Sequence, residues 1–281
     1  MTALPLDLIA VPWDVDRADT GAARAPGELA ARGFPGRLRA GGRDVREIAV
    51  LSAPEGSPKL AKVAETGRGI ARAVGRARAE GRFPLVLSGG CLASLGVVAG
   101  LQESGGDPGV LWIDAHGDFN TPESSPSGYW DGMALATACG VCLPELREAI
   151  GQRPLPAERA LHLAGRAFDP LESATMERHG LERLTAGDLA GPATRKLIRR
   201  RAGAGTWYLH VDLDGFDPRD VPAVGFPVPD GARLDDLLAA LGDLPPPAAM
   251  TFSALSFDRA DEEEAERTLA ACLRLVGAFA V

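Results

Sequence analysis

Cysteine, histidine and aromatic residues are all scarce: four cysteines, four histidines and an aromatic share of 5% in 281 residues. The cysteines stand at 91, 139, 142 and 272, too few for a disulfide framework in a chain of this length. Cys139 and Cys142 form a lone CGVC. Without a second pair or a thioredoxin-like context, it carries neither a zinc nor a redox assignment. Long apolar runs are missing too; none approaches the roughly 18–20 residues of a membrane span, which excludes a membrane protein. No basic stretch precedes the apolar residues of MTALPLDLIAVPWDVD, so no secretory signal is expected and the cytoplasm is the expected compartment. Positive charge is in deficit as well. The net charge is −8 and the arginines are scattered, which disfavours a nucleic-acid partner.

What is present is an ordinary globular composition, 46% hydrophobic and 24% charged. Apolar runs suited to buried strands recur at 6–11, 46–51, 84–89, 109–115, 160–165, 206–214 and 248–257. Stretches with helical periodicity lie between several of them, as at 60–82 and 233–244. The acid-rich run Asp261 to Glu264, with Glu266, reads as the start of a helix through RTLAACLRLV. Alternating strands and helices predict an α/β fold with a mostly parallel central sheet covered by helices on both faces. No linker or repeat divides the chain, so one domain over 1–281 is expected.

In open parallel sheets, active sites form beyond the carboxyl ends of the strands. Two strand ends are rich in titratable groups. In LWIDAHGDFN, Asp114, His116 and Asp118 alternate, and in YLHVDLDGFDP, Asp212 and Asp214 do the same. Residues i, i+2 and i+4 of an extended segment share a face, so each set converges. Either motif alone could cap a turn, but four carboxylates and an imidazole in one cleft repel unless cations neutralise them, which predicts divalent metal. His210 either supports a ligand from behind or packs, because Val211 and Leu213 make the opposite face equally apolar. His162 reads as a packed core histidine and His179 as a surface one. The third notable strand end is LVLSGGCLASLGVV, where Cys91 could be a nucleophile, a packed thiol or a ligand; a packed thiol is the default.

The segments DAHGDFNTPESSPSG, followed by an apolar helix opening on Gly-Met, and HVDLDGFDP, leading into PAVGFPVPDG, resemble the signatures of the arginase/agmatinase (ureohydrolase) family. GAARAPGELA and GRAFDPLE (165–172) are similar to its early helix start and to a segment supplying a substrate-contacting carboxylate. The resemblance implies a three-layer α/β fold and two manganese ions, other divalent ions being possible, bridged by a hydroxide that attacks a guanidine carbon. It sets Cys91 where the family's Gly-Gly-Asp-His turn carries a ligand histidine. By the same resemblance Cys91, Asp114, Asp118 and Asp212 would hold one ion, and Asp114, His116, Asp212 and Asp214 the other. Ser125, Ser127 and Asp169 match positions that bind the amino-acid end of the substrate, with Glu172 and Tyr129 as further candidates. The bland reading of SSPSG is a turn-rich loop.

Three positions depart from the family pattern. Asp131 falls where a proton-shuttling histidine is expected, and the alternative is that it caps the following helix. Tyr129 replaces a substrate-contacting asparagine. Ser256 stands where a glutamate would pair with the guanidinium. A sulfur ligand makes its cation a weaker Lewis acid, and a neutral substrate does not need the glutamate. An N-hydroxyguanidine satisfies both conditions, because the hydroxyl oxygen lowers the basicity of the guanidine. The departures resemble the branch of the family that serves antibiotic biosynthesis by cleaving Nω-hydroxy-L-arginine to hydroxyurea and L-ornithine. The alternatives are arginase, agmatinase or formimino-hydrolase activity, or a non-catalytic binding relative. The chain ends directly after the last expected helix, without the tail that arginase trimers use, so a monomer is expected.

Overall fold

The computed structural model describes residues 4–202, 205–242 and 244–279. Among these, eight strands form one parallel sheet: β1 (Leu6–Val11), β2 (Val45–Ala49), β3 (Phe83–Ser88), β4 (Gly109–Ile113), β5 (Ala160–Leu163), β6 (Glu182–Leu184), β7 (Trp207–Asp212) and β8 (Ala249–Ser253). Their spatial order is β2-β1-β3-β8-β7-β4-β5-β6. The α-helices are α1 (Gly21–Ala31), α2 (Phe34–Ala40), α3 (Lys59–Ala79), α4 (Ala93–Glu103), α5 (Ala134–Ala138), α6 (Pro144–Ile150), α7 (Pro170–Arg178), α8 (Pro192–Ala202), α9 (Leu234–Leu241) and α10 (Glu262–Phe279). No described helix is long and apolar enough to cross a membrane.

The strands read as continuous apolar runs because both faces of the sheet are buried. Alternation distributes them between two cores. Leu85, Leu87, Leu111, Ile113, Leu209 and Val211 pack with residues of α1, α2, α8, α9 and α10. Val86, Val110, Trp112 and Tyr208 pack on the opposite face with α3 to α7. All seven expected strands are present; β1 has the expected bounds and the other six end one to four residues earlier than expected. The eighth, β6, escaped sequence reading because it is a three-residue edge strand, Glu-Arg-Leu, of intermediate burial throughout. An edge strand that packs little needs no apolar period.

The strand order positions the site. Chain connections carry β3 past two vacant lanes to β4, and those lanes are later filled by β8 and β7. The carboxyl ends of β3, β8, β7 and β4 therefore lie side by side, although their residues are far apart in sequence. This is the kind of switch point at which open α/β sheets bind ligands. Helix α4, which starts just after Cys91, is drawn tightly against α3 through glycines. A Cβ added at Gly96 would lie 2.4 Å from the Gly67 carbonyl oxygen, and one at Gly100 would lie 2.6 Å from that of Ala71. Both neighbours are backbone atoms and cannot turn aside.

Gly96→Ala should therefore destabilise the protein by about 2 kcal/mol through overpacking, although alanine in an open helix would gain about 1 kcal/mol. Urea unfolding midpoints of the two proteins check this; an equal or higher midpoint for the variant contradicts the tight helix contact.

Candidate metal centre

Ile113 of β4 pairs with Val211 of β7, so the next residues, Asp114 and Asp212, leave the sheet beside each other. Local amides orient the carboxylates. Asp114 Oδ1 accepts from the His116 amide at 2.7 Å, and Asp212 Oδ1 from the Asp214 amide at 3.0 Å. Asp214 Oδ1 accepts across the strands from the Ala115 amide at 3.2 Å. The turn-capping reading and the cluster reading are thus both realised: each of these three acids spends one oxygen on a backbone amide while its side chain stays within the cluster.

Ligand-type atoms of Cys91, Asp114 and Asp212 lie within 4.8 Å of one another, and so do those of Asp114, His116 and Asp214. The two groups share Asp114. Asp118 belongs to neither group at that distance, but its Oδ2 is buried without a hydrogen-bond partner in the same cleft. Its backbone is left-handed, with φ of 50°, which turns the carboxylate away from the path of an extended strand. Burial and mutual repulsion push the carboxyls of Asp114, Asp118 and Asp214 upward, and that of Asp212 to about 8. Burial also pushes the Cys91 thiol well up, reinforced by Asp212 and Asp118. For His116, burial works downward but Asp114 and Asp214 prevail and raise it to about 12. So much negative charge in an enclosed place favours bound cations, and an orphaned carboxylate oxygen beside two three-atom groups fits a divalent pair.

The cleft opens into a cavity of about 490 Å³. Cys91, His116, Asp118, Ser125, Ser127, Tyr129, Asp131, Asp169, Glu172, Asp212 and Asp214 all line it. Ser125 and Ser127 also serve their turn, accepting from the amides of Gly128 at 3.0 Å and Tyr129 at 3.2 Å. Asp169 and Glu172 form a capping box at the start of α7, and Glu172 also accepts from the Phe119 amide at 2.9 Å. Asp131 does not cap the helix that follows it. Its Oδ1 accepts from the Leu92 amide at 2.9 Å, at the start of α4, and burial pushes its carboxyl up to about 7.

Ser256 is not among the cavity-lining residues; Ala254 is. The left-handed backbone of Ala254, φ 57°, ends the strand alternation, so Ser256 bonds the Ala223 carbonyl and packs near Gly21 instead. This corrects the sequence expectation for Ser256 while leaving the wall without a carboxylate at that point. His162 is buried, its Nε2 2.6 Å from the His116 carbonyl oxygen, whereas His179 is exposed.

Residues that sequence reading missed also face the cavity: Asp14, Arg17, Asn120 and Phe226. The Arg17 guanidinium reaches Asp14 at 2.8 Å and the Tyr129 hydroxyl at 2.9 Å, and that hydroxyl also donates to Asp14. The available signal was the polar WDVDR directly after β1. Arg166 was missed as a brace: its guanidinium donates to the carbonyls of Asp214 at 2.9 Å and Val228 at 2.6 Å, tying the Phe226 loop to the strand ends. The other anchor of this segment is Asp217, which takes three bonds from Arg219, with the Asp217 amide bonded to the Ala232 carbonyl.

A parallel sheet with a carboxylate- and thiol-lined centre at its switch point is the setting of a metal-dependent hydrolase. The sequence model of the arginase family matches residues 5–274, and the chain belongs to that family, hydrolases of guanidino C–N bonds. It is 32% identical over 243 residues to an arginase of Bacillus caldovelox, with 80% of each chain covered. It is 29% identical over 257 residues to the N(omega)-hydroxy-L-arginine amidinohydrolase of Streptomyces lavendulae, with 91% of this chain and 89% of that one covered. The crystal structure of arginase from Bacillus cereus superposes with a TM-score of 0.84 at 29% identity, covering 96% of each chain.

The Arg219 bonds hold the Asp217 carboxyl at about 2, below its ordinary 3.8. A depressed folded-state value means that the stabilisation is complete above about pH 4 and is lost as pH falls towards about 2. Asp217→Asn should melt below the parent at pH 7, and the gap should shrink over that acid range; a gap independent of pH counts against this anchor.

Proposed function

We propose that the chain hydrolyses Nω-hydroxy-L-arginine to hydroxyurea and L-ornithine, with two manganese ions held by Cys91, Asp114, His116, Asp118, Asp212 and Asp214. The reading rests on one observation above others: Cys91 Sγ lies 3.0 Å from Asp212 Oδ2, inside a three-ligand group, where a family histidine would stand. When bound, a divalent pair lowers the pKa of water and polarises the carbon–nitrogen group to be cleaved. A sulfur donor weakens that polarisation, so a less basic substrate with an electron-withdrawing oxygen suits it.

The commitments of the cavity acids support a neutral substrate. Glu172 and Asp169 are tied in the capping box, Asp14 is paired with Arg17, and Asp131 is bonded to the Leu92 amide. The remaining acids belong to the metal cluster, and Ala254 supplies no charge. Apart from Asp169, which besides its capping bonds meets the amino-acid end of the substrate, these acids are committed elsewhere, which disfavours pairing with a guanidinium. Ser125, Ser127 and Asp169 receive the amino-acid end of the substrate, beside Tyr129 and Arg17. In the reaction the bond between the substituted nitrogen and the guanidine carbon breaks; the water oxygen stays on the carbon as hydroxyurea, and a proton goes to the departing ornithine amine. Asp131, on the cavity wall near Cys91, is the group that exchanges that proton.

Hydrolysis of L-arginine is the second reading, favoured by the 32% identity to the Bacillus caldovelox arginase. Manganese-loaded protein assayed on both substrates separates the two. The expected result is kcat/KM at least about tenfold higher for Nω-hydroxy-L-arginine, about 1.4 kcal/mol in the transition state. Equal or better turnover of L-arginine refutes the substrate reading, and less than about one bound ion per chain after loading refutes the metal reading.

Asp131→Asn keeps an oxygen for the Leu92 amide but cannot carry a proton. We expect an unchanged melting temperature and a kcat lower by about a hundredfold. Full activity in this variant would return Asp131 to a purely structural part.

A further inference from the structure

Beyond the carboxyl end of β1 the chain closes a tight turn at the cavity. The Asp14 amide donates to the Arg17 carbonyl at 2.8 Å and the Arg17 amide to the Asp14 carbonyl at 2.9 Å, the closure of a two-residue turn. Val15, its first central residue, has φ of 58°, a left-handed conformation that a β-branched residue avoids. Burial holds it there: Val15 is 6% exposed, in the core cluster that also contains Val63 and Ile70. Backbone strain of this kind collects at functional sites. The turn buries Asp14 and leaves Arg17 open, with side-chain exposures of 7% and 50%. Arg17 Nη2 serves both of its partners, Asp14 Oδ2 at 2.8 Å and the Tyr129 hydroxyl at 2.9 Å, and that hydroxyl donates to the other Asp14 oxygen. The guanidinium carbon lies 5.0 Å from the centre of the Tyr129 ring. Nη1 and Nε take no hydrogen bond among the described residues.

We propose that Arg17 is a specificity-determining residue: its open Nη1 and Nε donors pair with a carboxylate of the substrate, so the site selects carboxylate-bearing substrates over their decarboxylated counterparts. This deepens the function proposed above and rests on its reading that the amino-acid end of the substrate lies on this side of the cavity. Charge on the wall supplies the reason. Arg17 is the only guanidinium among the described lining residues, and the other lining base, His116, is paired with Asp114 and Asp214. Acids such as Asp169 and Glu172 share the wall; they suit an ammonium group and repel a carboxylate, which settles only beside a cation. Both oxygens of Asp14 are taken by Arg17 and Tyr129, so Asp14 orients the guanidinium without covering its remaining donors. Tyr129 also links Arg17 to the serine turn, because its amide donates to Ser127 Oγ at 3.2 Å and Ser125 Oγ lies 3.4 Å from Ser127 Oγ. Hydroxyls and a guanidinium on one connected stretch can donate to both oxygens of a carboxylate. An arginine that only braced the turn would be covered by its partners, whereas half of this side chain stays open.

L-Ornithine and 1,4-diaminobutane differ only in the carboxylate. Both can be titrated calorimetrically into the protein in manganese buffer, so the readout is binding and not turnover. Ornithine is the product from L-arginine and from its N-hydroxy derivative alike, which keeps the test independent of that choice. Arg17→Gln should weaken L-ornithine binding by about 10–100-fold and leave 1,4-diaminobutane within about twofold of the parent, since a diamine has no group for the lost cation to pair with. Arg17→Lys, which keeps the charge but not the planar fork, should recover part of the loss. Equal weakening of both ligands by Arg17→Gln, or an unchanged ornithine affinity, overturns the carboxylate role. In the second case ornithine still binds, and the reading of the amino-acid end survives. A parent that binds neither ligand overturns that reading and the role of Arg17 with it. Should Arg17→Gln not fold, Arg17→Met carries the same test, with equal losses or an unchanged ornithine affinity again the refuting results.

Discussion

Everything at the working end of this protein depends on the crowding of negative charge where β4 and β7 leave the sheet. Asp114, Asp118, Asp212 and Asp214 are each no more than 6% exposed. Their repulsion is relieved by proton uptake or by positive charge in the cleft, and among the described residues His116 is the basic side chain that pairs with Asp114 and Asp214. The rest of the architecture supports this costly arrangement. Backbone amides point the carboxylates, Arg166 straps the loops that follow, and the glycine seam between α3 and α4 brings Cys91 to its edge.

Cys91 has polar neighbours on the side of the core. Its sulfur is met by a ring nitrogen of His210 and the hydroxyl of Ser253, which reach it from strands that are neighbours only in space. Acids are numerous on the cavity wall as well. Charge is plentiful in this site, and much of it is already paired within the protein.

Among the described residues, two basic side chains line the cavity, Arg17 and His116. Arg17 lines the cavity with Asp14 and Tyr129, and Phe226 lines it from the loop whose Val228 carbonyl Arg166 holds. The segment around Phe226 is held by carbonyl bonds to the half-buried Arg166 guanidinium and by the packing of Val221, Ala223 and Val224 into the core. The cavity wall and the carboxylate cluster therefore share one mechanical frame.

The sequence alone determined the alternation of strands and helices and the two carboxylate motifs, because both are local: a buried parallel strand must be apolar throughout, and residues two apart in an extended segment share a face. It also carried the family, through contiguous segments such as DAHGDFN and HVDLDGFDP. Tertiary structure alone decided which strand ends meet. The order β3-β8-β7-β4 brings Cys91, Ser253, His210 and Asp114 together from four separate stretches, and no periodicity along the chain encodes that order. It replaced Ser256 by Ala254 on the cavity wall through one left-handed residue, and it gave Asp131 a partner at the start of α4 instead of its own helix. Those outcomes depend on packing between segments distant in sequence, where side-chain direction is set by neighbours and not by local pattern.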